Sequence, residues 1–594
     1  MKDFLKITAA VICGFIIVTV IMFILGFGFL GALLAAGSST PVLPKSGVLT
    51  VDMSKIVLGE QSKEASALPT SLGGGTSAQT IGIWDAVQAI NTAAEDPAVK
   101  YIYLKTDGSM SGVSALEEFR AALEHFRLTS GKAVVSYIES PTSGSYYLAS
   151  VADKVYMTEF QGATTMVNGV SSQMVFLGDL LDRLGVNVQL IRHGKYKSAG
   201  EMYTRSSASP ENREQYQRMV DSVWGTMAGQ ISASRGLSVD ELNDAVDGLK
   251  LNLPQDFVDC GLVDELLTTE ELKDKLAMLA VVDDFDDVEM ISFPDYVAAR
   301  KQISKASKEI AVIYAQGNIV DGSEKSDVAG DRFAQIIADV RADSTVKAVV
   351  LRVNSPGGSV LASEKIKNEL DLLKQTKPLI ASYGDYAASG GYWISTNCDR
   401  IFSDATTLTG SIGVFGIVPD FSKTAKDVLH INIESISSNR HGDMYTGMRP
   451  FDEAEYNYML ASIESIYDRF TTIVSEARSL PKETVDNIGQ GRVWTGYDAA
   501  ALRLVDEIGS LENAVSYAAA MAGDPEVSNW RVSGYPRPLS PLEELLSFFG
   551  AEASAGTAFG NLSLAESAES LAKGLGELSQ PQVLARMDTE IEIR

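Results

Sequence analysis

Apolar and polar positions divide this chain into a long uncharged run, two similar stretches of short alternating elements, and a weakly patterned end. Residues 7–36 carry no charge. That run exceeds both the roughly 20 residues a helix needs to span a bilayer and the apolar core of a cleavable signal peptide, about 7–15 residues. A permanent membrane anchor is therefore expected. A Ser/Pro/Gly-rich linker, residues 37–47, follows it. Beyond the linker, β-branched runs alternate with helical patterns, as in KAVVLRV, ASEKIKNELDLLKQ and PLIASY. Such alternation predicts βαβ units and largely parallel sheets buried between helices, an α/β fold. Residues 202–235 and 444–478 read as parallel long helical regions. After about residue 540 the chain is rich in Ser, Ala, Gly and Glu with weak periodicity, and reads as a mobile end or a peripheral helix.

The two patterned stretches are copies of one another. YIYLKTDGSMSGV (101–113), VSYIESPTSGSYYLAS (135–150) and IRHGKYKSAG (191–200) match AVVLRVNSPGGSV (348–360), ASYGDYAASGGYWIS (381–395) and SNRHGDMYTG (438–447). Aligned on Arg-His-Gly, Lys197 falls opposite Tyr445; Ser143 falls opposite Ser389, and Met110-Ser111 opposite Gly357-Gly358. Each copy has lost a different part, so a site assembled from both halves is the simplest reading. The expected organisation is a cytoplasmic stub and anchor (1–37), a first repeat supplying a lysine (38–300), a second supplying a serine (301–540) and a tail (541–594).

Charge narrows the partners. Fifty basic against seventy-seven acidic residues give a net charge of −27, which repels phosphate backbones, so no nucleic-acid partner is expected. Lys2 and Lys6 precede the apolar run and the next basic residue is Lys45. This asymmetry puts the N-terminus in the cytoplasm and the bulk of the chain outside. Cys13, Cys260 and Cys398 show no metal-binding spacing, so neither a disulfide framework nor a metal site is expected.

The chemistry-bearing candidates follow from local context. Ser389, in AASGGYW, sits after a predicted strand and before a plausible helix start, where its hydroxyl faces the positive end of a helix dipole. A buried turn serine fits that motif equally well, and the sequence lacks the full G-x-S-x-G elbow of an ordinary α/β-hydrolase. The loop NSPGG (354–358) can expose N–H groups to a developing oxyanion, an effect worth several kcal/mol, or be a plain tight turn. Of the four histidines, His193 and His441 are equivalent positions, which suggests a shared structural role, and no His/Asp arrangement is evident. Lys197, in GKYKSAGE, is the better candidate base, although an exposed loop lysine would read the same way. A lysine base has to be neutral, which calls for burial or a like charge such as Lys195.

RVNSPGGSV, AASGGYWIS, LTGSIGVFG (408–416), GKYKSAGE and RVWTGYDAAALRLVDEIG (492–509) together resemble the long, duplicated bacterial signal peptide peptidases of protease IV type. The resemblance spans residues 47–520 and includes the N-terminal anchor. It implies two tandem Clp-protease/crotonase-like repeats and a Ser–Lys dyad, with Ser389 as nucleophile, Lys197 as general base and Ser411 as the hydroxyl that orients the lysine. The amides of Gly358 and Gly390 would form the oxyanion hole. It further implies a homotetramer at the outer face of the bacterial inner membrane, no cofactor, and apolar peptides such as signal-peptide remnants as substrates. Ser143 keeps a following glycine but lacks the upstream Gly-Gly loop and a lysine at position 445, so no second active site is expected there. Two other readings remain: a crotonase-like acyl-CoA enzyme, which an outward-facing protein would supply poorly with CoA, and a non-catalytic scaffold derived from a peptidase.

Overall fold

The computed structural model describes residues 41–62, 78–108, 111–537 apart from 302, 303, 305, 324 and 326, and 582–587. The expected anchor, residues 7–36, lies outside them. Among the described residues no helix is long and apolar enough to cross a membrane.

Two largely parallel sheets repeat one strand order. In the first repeat the order is Glu265–Leu267, Lys154–Thr158, Val134–Ile138, Val99–Lys105, Gly47–Asp52, Met290–Ser292, all parallel. In the second, Glu507–Ile508, Arg400–Ser403, Leu379–Ala388, Val346–Ser355, Glu309–Gln316 and Arg531–Tyr535 occupy the same places, also parallel. The central strands are buried along nearly their whole length, as expected for continuous β-branched runs between helical layers. Leu379–Ala388 is long enough to leave Arg400–Ser403 and pair its last residues with Leu408–Gly410. Ser389 is the next residue.

The two long helices also form. Pro210–Arg235 starts at the Ser209 cap with proline in its first turn and ends at Gly236, whose φ is 70°. Glu453–Arg478 starts from an Asp452/Glu455 capping box. The repeats are not separate globules. Leu49, Ile90, Phe119 and Tyr146 of the first share one apolar core with Val312, Val350, Leu511 and Val515 of the second.

A third sheet ties the repeats together and positions the site. Asn187–His193 of the first repeat runs antiparallel to Val414–Asp420 of the second, in register from Asn187↔Asp420 to His193↔Val414. In the second repeat the residues before Arg440-His441-Gly442, 431–439, are exposed and form no strand. The end of the chain departs from expectation. Gln582–Arg586 is neither a loose end nor a helix but a strand of this third sheet, between Gly357–Ser359 and Val414–Asp420. Residues 538–581, which precede it, lie outside the described residues.

Candidate active site

Lys197 follows the bridging strand Asn187–His193 by four residues, so the strand pairing between repeats delivers it to the C-terminal end of Leu379–Ala388. There its Nζ lies 2.8 Å from Ser389 Oγ, 3.0 Å from Ser411 Oγ and 3.2 Å from Ser411 O. Ser389 is completely buried, and Lys197 and Ser411 are nearly so. The two Ser411 oxygens can take N–H bonds from a neutral amine, which leaves its lone pair for the Ser389 hydroxyl. The same amine, once protonated, becomes a donor to all three oxygens. That is the geometry required of a base that takes a proton and later returns it.

The serine is held in an unusual backbone conformation. Ser389 has φ 56° and ψ −111°, a region that costs a non-glycine residue about 1–3 kcal/mol. Its N–H donates to Gly410 O (2.8 Å), and its own carbonyl accepts from Trp393 N–H (2.8 Å) across the helix Gly390–Ser395. Ser411, with φ 49°, is pinned by donation of its N–H to Arg492 O (2.7 Å). Gly358 and Gly390 lie side by side: a Cβ placed on Gly390 would sit 3.1 Å from the Gly358 nitrogen.

Residues the sequence reading did not single out fix the lysine loop. Arg192 donates to Lys197 O (2.8 Å) and pairs with buried Glu201 (3.1 Å). Gln215, on the helix Pro210–Arg235, donates to Tyr196 O and Ser198 Oγ and accepts from Val493 N–H. Gly491 lies against the lysine itself: at φ 81°, a Cβ there would stand 2.5 Å from Lys197 Cβ. Its only sequence signal was the Gly-Gln-Gly run ahead of RVWTG. Lys195 places its Nζ over the Tyr196 ring at 5.0 Å, while Lys197 itself is buried.

The remaining candidates take structural places. Ser143 Oγ accepts N–H bonds from Asn168 (3.2 Å) and Gly169 (3.1 Å). Its repeat partner for a lysine, Tyr445, is more than half exposed. The equivalent histidines have different contacts: His193 stacks on Tyr467 with ring centroids 4.0 Å apart, whereas His441 bonds to Glu455 (2.8 Å). Behind the site, at the seam between repeats, buried Arg352 pairs with Glu60 and Glu118, both at 2.7 Å. Asp404 shares this pocket, and burial together with the charges of Glu118 and Glu117 pushes its carboxyl well above the usual carboxylate range. Glu117 and Asp385 are raised as well, chiefly by burial.

A buried serine hydroxyl against an amine, beside two adjacent backbone amides, is the layout of covalent acyl transfer, and the chain's relatives agree with that class: it is a serine peptidase. Residues 127–283 and 371–523 match the pattern described as "Peptidase family S49"; the chain belongs to this family, in its duplicated protease IV type. It is 35% identical to "Protease 4" of Haemophilus influenzae over 74% of this chain and 72% of that protein. It is 35% identical to "Protease 4" of Salmonella typhi over 82% and 80%. "Serine protease SPPA, chloroplastic" of Arabidopsis thaliana is 29% identical over 77% of this chain and 68% of its own length. Among solved structures, a point mutant of ClpP1 from Listeria monocytogenes aligns with a TM-score of 0.24 at 15% identity, covering 34% of this chain and 93% of that one.

Proposed function

We propose that the chain is a membrane-anchored endopeptidase that degrades cleaved signal peptides and other apolar peptides through a Ser389–Lys197 dyad. The observation that carries this reading is the 2.8 Å contact between a lysine of one repeat and a serine of the other, both buried. Neutral Lys197 takes the Ser389 proton as Oγ attacks a peptide carbonyl, and Ser411 holds the amine in line. The amides of Gly358 and Gly390 receive the oxyanion, an interaction for which one donor is worth about 2.7–4 kcal/mol. Protonated Lys197 returns its proton to the leaving amine, giving an acyl-enzyme that lysine-activated water hydrolyses. No cofactor or metal takes part.

The wider setting belongs to the same proposal. Each repeat is read as Clp-protease/crotonase-like, residues 7–36 as a single anchor with the N-terminus inside, and the assembly as a homotetramer on the outer face of the bacterial inner membrane. The domain limits are 1–37, 38–300, 301–540 and 541–594.

The test is hydrolysis of a fluorogenic apolar peptide, beside labelling by a serine-directed fluorophosphonate. Ser389→Ala and Lys197→Ala should abolish hydrolysis while Ser143→Ala retains it. A parent protein that is inert and unlabelled would favour the scaffold reading, and Ser389→Ala with full activity would remove the dyad.

A further inference from the structure

The strand Val346–Ser355 leads into the loop that carries Gly358, and the strand Leu379–Ala388 leads into Ser389. The pairing of these two strands therefore sets the proposed oxyanion loop against the nucleophile. Next to the site that pairing is irregular. Val353 pairs with Tyr383, but Ser355 pairs with Ala387, so Gly384, Asp385 and Tyr386 together face Asn354 alone. A bulge of this kind bends its strand and takes main-chain groups out of the ladder. Here side chains replace the ladder. Gly384 O accepts from Thr407 Oγ1 at 2.7 Å, and Tyr386 N–H donates to Asn354 Oδ1 at 3.2 Å.

The first repeat holds the other end of the Asn354 amide. Its Nδ2 donates to Glu60 Oε1 at 2.8 Å and lies 3.5 Å from Asp385 Oδ2. Glu60 follows the strand Ile56–Gly59, is buried, and accepts from Arg352 Nε at 2.7 Å through its second oxygen. Asp385 in turn accepts from the N–H and hydroxyl of Ser114, at 3.0 and 3.1 Å, in the first turn of the helix Val113–Ser130. A Cβ on Gly384 would collide with Glu60 Oε1, and one on Gly112 with the Asp385 carboxyl, so both approaches need glycine. Beyond Asn354 the tolerance is small. A Cβ on Gly357 would stand 2.6 Å from Gly390 N and 2.9 Å from Ala388 O. A displacement of about 1 Å at such a site can cost on the order of 100-fold in rate.

We propose that Asn354 is a positioning residue: seated in the bulge of the nucleophile strand and held by Glu60 of the first repeat, it keeps the oxyanion loop in register with Ser389. This rests on the reading of Ser389 and Lys197 given above. It gives the first repeat a second part in turnover, separate from the lysine it supplies.

The test is kcat of the full chain on a fluorogenic apolar peptide across a range of pH, with the melting temperature of each variant. Asn354→Leu keeps the bulk and removes both bonds; kcat should fall roughly 10- to 100-fold. Asn354→Asp keeps the acceptor for Tyr386 N–H and loses the donor. The new carboxyl would face Glu60 and Asp385, with Arg352 beyond Glu60, and these acids raise its pKa. Protonated, it donates to Glu60 as the amide did; ionised, it is repelled. Activity relative to the parent should therefore be near full at low pH and fall as pH rises. Adding Glu60→Gln reverses the pair, because the new amide can donate to a carboxylate at 354 and still accept from Arg352, and should restore activity at high pH. A purely structural residue would lower the melting temperature without this pattern. Parent kcat in Asn354→Leu overturns the proposal. So does a flat relative pH profile in Asn354→Asp, or no recovery with Glu60→Gln; these two readings decide alone if Asn354→Leu does not fold. A parent that hydrolyses no peptide and takes no fluorophosphonate overturns the Ser389–Lys197 reading itself.

Discussion

Ser411→Ala isolates one contact of the site and has a size that can be worked out in advance. The substitution removes the hydroxyl 3.0 Å from Lys197 Nζ and leaves the contacts to Ser411 O and Ser389 Oγ. In the ground state the lost bond involves a neutral amine and is worth about 0.5–1.5 kcal/mol; in the transition state the amine has become an ammonium and the bond is worth about 1.5–3 kcal/mol. Only the difference, about 1–1.5 kcal/mol, reaches the barrier, which corresponds to roughly a tenfold loss in kcat. KM should stay within about twofold, because a bond strengthened only in the transition state leaves substrate binding unchanged. Initial rates on a fluorogenic apolar peptide, parent against variant, measure both. Ser411→Gly, which accepts φ 49° without strain, should be equally slow and so separates the hydroxyl from the backbone. Lys197→Ala should cost much more, since general base catalysis contributes about 10²–10⁴-fold. Full kcat in Ser411→Ala would refute an orienting role for this hydroxyl. A loss equal to that of Lys197→Ala at an unchanged melting temperature would refute it as well, for then Ser411 would carry the proton and not orient its carrier.

Four further outcomes follow. Gly491→Ala forces a Cβ to 2.5 Å from the lysine stem; a displacement of that kind can cost on the order of 100-fold, read as kcat/KM with circular dichroism to confirm folding. Asp404→Asn should raise the melting temperature more at pH 7 than at pH 4. The native carboxyl is held protonated well above its unfolded value, so its folding contribution is intact below the unfolded pKa and lost as pH rises towards the folded one; equal shifts at both pH values would contradict this. Ser143→Ala should lose about 1–2 kcal/mol of stability with two local bonds, seen as a lower melting temperature at full activity. Removal of residues 1–46 should move peptidase activity from the membrane pellet to the supernatant; activity that stays in the pellet would count against the anchor.

The parts legible in the sequence were those with short-range causes. A β-branched run ending at AASGG marked both the strand Leu379–Ala388 and the turn that presents Ser389, and the two long helices lie within the regions read as helical, 202–235 and 444–478, but begin only at Pro210 and Glu453. Lys197 was a different matter. Its proximity to Ser389 depends on Asn187–His193 pairing with a strand more than two hundred residues later, and no local pattern encodes that; only comparison of the repeats and the family resemblance suggested it. The acids around Arg352 were indistinguishable from surface charge, since burial of Glu60, Glu118 and Asp404 arises where two repeats close on one another. The strand Gln582–Arg586 was missed because five residues in a Ser/Ala/Gly/Glu-rich end give too short a run to establish a period.

The bridging strand also constrains what such a protein can become. The half with the lysine has Met110-Ser111 where the other has Gly357-Gly358, and the half with the serine has exposed Tyr445 where an amine would stand. In that second half, the stretch before Arg440-His441-Gly442 is laid out in solvent and forms no strand. Restoring a self-sufficient half would take a new lysine and a rebuilt path to carry it, and neither change helps without the other. Drift in a joined gene therefore acts as a ratchet: each copy is free to decay only in the part its sibling still carries, and every such loss makes divorce of the two more costly to the lineage.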